Sequence, residues 1–156
     1  MKATLPALAA IAIQFPLFGL LCLLPMAATG AGIAADDLAF FGGAILLAAS
    51  ATVLLVGLPV FALLRRAGRA GMASSILAGF LIGVLPVALM GWPPAGLYAG
   101  YSSGGQWFGH AVDLYRNGAP TWYAWLDYAL NMARLGIQGA AGAAVFHWVW
   151  RRSSAR

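Results

Sequence analysis

Apolar residues run for the length of a bilayer in four places along this chain. A hydrocarbon core about 30 Å thick needs about 20 residues of helix to cross it. The runs are Leu5 to Leu24, Leu38 to Leu64, Ala70 to Met90 and Trp125 to Trp150. Between the third and fourth lies an outer segment, 92–124, too polar and too rich in Gly and Pro to span. The pattern predicts an all-α polytopic membrane protein, with 1–156 a single integral membrane domain built as a four-transmembrane-helix bundle. The first run follows Met-Lys and ends in small residues, as a signal peptide does. Signal cores are usually about 7–15 residues, and this run is longer, so it is expected to stay as an uncleaved span.

The outer segment has a pattern of its own. Ser103 and Gln106 have the spacing of a capping box. Asn117-Gly118 followed by Pro120 reads as a helix stop. At helical period Trp107, Phe108, Ala111, Val112 and Tyr115 share one face. Gln106, His110, Asp113 and Asn117 share the other. These positions predict a short amphipathic helix on the outer membrane surface or across the bundle mouth. On such a helix His110 and Asp113, three apart, are neighbours.

Small residues mark the packing faces. Gly71, Ser75, Gly79 and Gly83 stand four apart on the third span, and Val87 and Gly91 continue the row. Small side chains let membrane helices approach closely where no hydrophobic force drives them together. The row resembles a glycine zipper. It serves either packing within the chain or a homo-oligomer. The fourth span has a shorter row, Gly136, Ala140 and Ala144, and the second has Ala44, Ala48 and Thr52.

Composition supports the membrane reading. The 156 residues are 62% hydrophobic and 8% charged, with mean hydropathy +0.84. Soluble domains are about a quarter charged. The net charge of +5 does not point to nucleic acid, because the basic residues cluster at span ends. Lys2, the group Arg65, Arg66 and Arg69, and the group Arg151, Arg152 and Arg156 fall on one side of a four-span topology. The excess of Lys and Arg on cytoplasmic loops then puts both termini in the cytoplasm of a bacterial inner membrane. Asp36 and Asp37 fall on the other side, where Asp113 and Arg116 cancel. All five Tyr and four of the six Trp lie on that outer side too. Trp and Tyr favour the headgroup level.

Candidate chemistry is sparse. The single cysteine, Cys22, excludes an intramolecular disulfide and a CxxC site, and reads as a small buried hydrophobe. No complete metal or catalytic constellation stands out, and no cofactor is expected. The Gly-Tyr-Ser-Ser-Gly stretch departs from the Gly-x-Ser-Gly motif of intramembrane serine proteases, and His147 belongs to the opposite membrane face. The chain also departs from three four-span families. Quinone-linked disulfide oxidoreductases need two cysteine pairs. Small multidrug exporters need a membrane glutamate in span 1, where this chain has Gln14. Lipoprotein signal peptidases carry an Asn-x-x-Asp-Arg pattern that is missing here.

The fourth span holds the strongest candidate. At 100° per residue Asp127, Asn131, Arg134 and Gln138 fall within an arc of about 60°. A charge facing lipid at a helix centre costs at least about 2.5–3.5 kcal/mol, so the stripe should face the bundle interior. Gln14 is a polar partner at similar depth on span 1. One reading is a polar ladder that sets helix register, with Arg134 reaching up to Asp127. The other is a site for an anionic group such as a lipid phosphate, held by Arg134 with Asn131 and Gln138. The functional expectation is a non-enzymatic accessory subunit or immunity-type protein with a membrane-protein partner. The alternatives are a lipid- or anion-binding carrier using the stripe, and a membrane hydrolase using Asp113 and Asp127.

Overall fold

A computed structural model describes residues 4–24, 35–94, 100–107 and 110–154. Lys2, Phe108, Arg156 and the side chains of Cys22, Asp36 and Asp37 lie outside what it describes. The described chain forms four helical columns and a small sheet.

The first column joins α1 (Thr4–Ala12), α2 (Gln14–Phe18) and a π-helical turn, Gly19–Leu23. Pro16 lacks the N–H that would reach the Ala12 carbonyl, and the α-helix breaks there at Ile13. The column stays helical across the break, since the Leu17 N–H donates to the Ile13 carbonyl at 3.3 Å. The second column joins α3 (Ala35–Thr52), a π-helical turn (Val53–Gly57) and α4 (Leu58–Arg66). Pro59 cannot donate to the Leu55 carbonyl, and the helix widens by one residue just before it. Gly68, at φ 68°, ends α4 in a left-handed cap. Gly68 and Arg69 donate to the Arg65 and Leu64 carbonyls, the bond pair of a Schellman motif.

The third column is α5 (Met72–Met90) and the fourth is α6 (Trp122–Ser154). Stretches Thr4–Leu21, Gly42–Arg66 and Met72–Met90 are long and apolar enough to cross a membrane. Three such stretches make this a multi-pass membrane protein. At 33 residues α6 is the longest helix, about 50 Å. Its polar stripe keeps it from being one of those three.

What the columns expose fits lipid rather than water. Leu77, Leu81, Leu85 and Leu89 of α5 are each more than half exposed and stand four apart on one face. The opposite face carries Ser75 and Gly79, both buried. The fully packed apolar core is correspondingly small: Ala7, Ala10 and Phe146, joined by Val53, Leu58, Phe61 and Trp150.

The packing order follows the small residues. The fourth column packs most extensively on the third and next on the first. A Cβ added at Gly79 would meet the Gly139 carbonyl and lie 2.5 Å from Ala143 Cβ. One at Gly83 would meet the Leu135 carbonyl, and one at Gly136 would lie 2.5 Å from the Phe80 ring. The zipper face of α5 is thus seated on α6 of the same chain. The row used on α6 is Gly136, Gly139 and Ala143, a correction to the expected Gly136, Ala140 and Ala144. Gly139 has no Cβ, so the backbones meet along its side of the helix.

The outer segment corrects the expected amphipathic helix. It is a three-stranded antiparallel sheet, β1 (Ser103–Trp107), β2 (His110–Arg116) and β3 (Ala119–Pro120), in that order. Asn117 (φ 52°) and Gly118 (φ 79°) both adopt the left-handed conformation between the paired residues Arg116 and Ala119. That is a two-residue hairpin turn, for which Asn-Gly is the strongest short signal. Gly104 and Gly105 weigh against a helix and let strands approach. Ser103 and Gln106 are therefore paired strand residues and not a capping box. The Gly118 N–H donates to the Tyr101 carbonyl at 2.7 Å. Thr121 fastens the sheet to the start of α6, its hydroxyl donating to the Asp113 carbonyl at 2.5 Å.

Candidate functional site

The stripe of α6 meets the first column at Gln138. The two helices run antiparallel, and the Gln14 side-chain amide donates to the Gln138 backbone carbonyl at 3.2 Å and to the Ala10 carbonyl at 3.3 Å. Gly142 makes room for it, since a Cβ there would lie 2.6 Å from Gln14 Nε2. Gln14 thus meets Gln138 at its backbone carbonyl and not at its side chain.

The upper half of the stripe departs from expectation. Asn131 donates to Asp127 Oδ2 at 3.1 Å. Asp127 and Arg134 form no ion pair, whereas Arg116 and Asp113 do, at 2.7 Å on the exposed sheet. The reason is spacing. Arg134 is two turns from Asp127, about 10 Å along the axis, whereas Asn131 is one turn away and faces it. Arg134 is half-buried on the helix flank.

The polar face proposed for the outer segment is also split. Gln106 pairs with Ala111 and Gly104 with Asp113, which puts Gln106 and Asp113 on one face of the sheet. His110 pairs with Trp107 and lies on the other. Three residues apart on a strand point to opposite sides. His110 does not orient Asp113, whose carboxylate is taken by Arg116. Asp113 and Asp127, the pair of the hydrolase reading, thus have separate partners.

Below the stripe the bundle is not closed. The second and third columns barely touch. Between them opens an apolar cleft of about 430 Å³, with walls from all four columns. Ala48, Thr52 and Val60 line one side, and Ala78, Ile82 and Pro86 the other. Gln14, Gln138 and Phe146 line it as well. The cleft exists because small residues on both walls leave space that no neighbouring side chain fills. Gln138 Nε2 is buried and has no hydrogen-bond partner. A buried amide N–H without an acceptor is uncommon and costs about 1–3 kcal/mol.

A second polar pair lies at the arginine-rich end and was not legible as a pair. His147 is 3% exposed, and its Nδ1 lies 3.3 Å from Ser75 Oγ. The Ser75 hydroxyl also donates to the Gly71 carbonyl at 2.9 Å. Aromatic rings enclose the imidazole: Trp150 at 5.6 Å and Phe61 at 6.5 Å between centroids. His147 continues the Gly139, Ala143 row that faces α5, and this was the available signal. Gly71, at the opposite end of the zipper row from Gly83, caps α5 in extended geometry. Among the described residues no three His, Cys, Asp or Glu side chains gather as a metal site would require.

Comparison with protein-family models, curated proteins and solved structures found no match.

Proposed function

We propose that this chain is a non-enzymatic inner-membrane protein whose four columns all cross the bilayer. Its cleft holds one apolar chain of a membrane amphiphile. The observation that carries the reading is the cleft, apolar along its walls and lined by Gln14 and Gln138 as well. Its volume falls in the range of small-ligand pockets, about 300–1,000 Å³.

The crossing of α6 is supported by its neighbours. It lies along the whole of α5, from the Trp92–Trp125 ring contact at 4.9 Å to the Ser75–His147 contact at the other end. It also lies along α1, which belongs to a spanning stretch. A helix packed on one span over its length and on part of a second shares their depth. The arginine-rich end, with Arg65, Arg66, Arg69, Arg151 and Arg152, is then cytoplasmic by the positive-inside rule.

A chain already dissolved in lipid gains no hydrophobic energy by entering a cleft. Retention therefore comes from packing against the walls and from an acceptor oxygen on the amphiphile that meets Gln138. The test is native mass spectrometry of protein released from mild detergent. The wild type should carry one bound amphiphile per chain. Ala48→Trp, which fills the cleft from an exposed wall, should lose it while keeping its thermal midpoint. Equal retention by the variant would overturn the reading. A specific oligomer that replaces the amphiphile would overturn it too, since a partner helix would then occupy the cleft.

A further inference from the structure

We propose that the second column is hinged at its π-helical turn, Val53–Gly57. On that hinge α3 swings as a side gate, and the apolar chain of an amphiphile enters the cleft through it from the bilayer. The gate serves the cleft proposed above and rests on that reading. The turn stands on the cleft wall. Val53 and Gly57 line the cleft, as do Ala48 and Thr52 of α3 just before them.

Three observations point to a hinge. The first is unequal anchoring. From the turn onward, Val53, Leu58 and Phe61 pack on the apolar core. The Phe61 ring meets Phe146 at 4.8 Å and Trp150 at 5.1 Å between centroids, both edge to face. Before the turn, α3 is hardly covered. Gly42 is its one buried residue among those described, and Phe40 and Leu47 are 73% and 74% exposed. Its contacts outside the column are chiefly with the first column. The second is the break itself. Pro59 cannot donate to the Leu55 carbonyl, and the Leu58 N–H reaches back five residues to the Val53 carbonyl. Gly57 adds no side chain to stiffen the turn; a Cβ there would find the Thr52 carbonyl at 3.7 Å. Helices bend at Pro and at π-turns, and hinges place the change in a few such residues. The third is a fixed opposite wall. α5 is seated on α6 where the backbones meet at Gly79 and Gly83. The first column is tied to α6 by Gln14. That leaves α3 as the wall that moves.

Lipid opposes the motion little. When α3 leaves Ala78, Ile82 and Pro86 of α5, it exchanges one apolar surrounding for another. No hydrophobic penalty resists that exchange in a bilayer. Segments with few buried contacts are also the ones that open most readily. The direction follows from the anchors. Leu58 and Phe61 hold the column shut at its arginine-rich end, and the seam between α3 and α5 widens away from them.

The test measures distances between paired spin labels by electron double resonance, in the full chain with Cys22→Ser so that only introduced thiols react. Leu47→Cys with Leu85→Cys reports α3 against α5. Leu63→Cys with Leu77→Cys reports α4 against α5. All of these leucines are more than half exposed, so labels there disturb no packing. In a steroidal detergent, which has no alkyl chain to enter the cleft, the first pair should give two separate distances and the second pair one. Oleoyl lysophosphatidylcholine, an amphiphile with one apolar chain, should remove the longer distance of the first pair. The double change Gly57→Ala and Pro59→Ala gives the turn a Cβ and the missing donor. It should leave the first pair a single distance without lipid. Both changes favour helix, so the variant should fold. A single distance for the first pair in the wild type, or two for both pairs, would overturn the hinge. So would two distances that persist in the double variant. Populations that ignore the lysolipid, in protein that retains it by native mass spectrometry, would overturn the gate. A wild type that retains no amphiphile would overturn the cleft and the gate with it, while the label distances still decide the hinge.

Discussion

Gln138 has a backbone carbonyl that accepts from Gln14 and a side-chain amide that meets nothing. The two halves of one residue therefore have opposite effects. The carbonyl helps hold the first and fourth columns in register, and the amide is a cost that an acceptor in the cleft would relieve. Gln138→Leu removes the cost and leaves the carbonyl in place. In lipid-free detergent it should raise stability by up to about 1–3 kcal/mol, the penalty of an unsatisfied buried group. With the native amphiphile bound, the gain should shrink, because the wild-type amide is then satisfied. The comparison is a thermal melt before and after delipidation. A loss of stability in both states would mean that Gln138 is already partnered. The other polar residues of the stripe divide differently. Asn131 serves Asp127, while Arg134 lies two turns from the charge expected to hold it.

At the scale of elements, the decisive contact is α5 on α6. Gly79 and Gly139 face each other so closely that any side chain at either position must push the backbones apart. Gly79→Leu should therefore lower stability by about 1–3 kcal/mol or more, since overpacking in a rigid interface strains the surrounding structure. Thermal melting in detergent reads this directly. The oligomeric state should not change, because the face is covered by α6 of the same chain. A variant that melts normally but loses an oligomer would reassign the zipper to an interface between copies. The outer sheet carries a related lesson. Asn117-Gly118 is a stop in a helix and a turn in a hairpin. The positive φ of both residues shows which role it has here.

For the whole molecule, the question is how many times the chain crosses. Reporter fusions after Arg69 and after Ser154 should read cytoplasmic. A fusion at Gly118, in the sheet's turn, should read external. A cytoplasmic signal at Gly118 would put the sheet and the arginine-rich end on the same side, and α6 would not cross. The bundle itself is asymmetric. The third and fourth columns form a tight pair, the first leans on the fourth, and the second is joined to the third at only a few points. The loosest seam is the one where the cleft opens.

The sequence by itself determined the helical columns. The length and apolarity of a span are local properties, read within about 20 residues and fixed by bilayer thickness. The basic clusters and the zipper row of α5 were legible for the same reason: each sits on one element. The outer segment was legible only in part. Its aromatic and apolar residues suit a helical period as well as an alternating one, and pairing between β1 and β2 decided for strands. Which row of α6 meets α5 was a tertiary decision, since two small rows were available and the backbone approach chose Gly139. The cleft and the Ser75–His147 pair had no local signature at all. The first is space left between columns distant in sequence, and the second joins residues 72 positions apart. Periodicity shows what a helix can present. Which neighbour takes each face, and where no neighbour fills the gap, depends on all four columns packing at once.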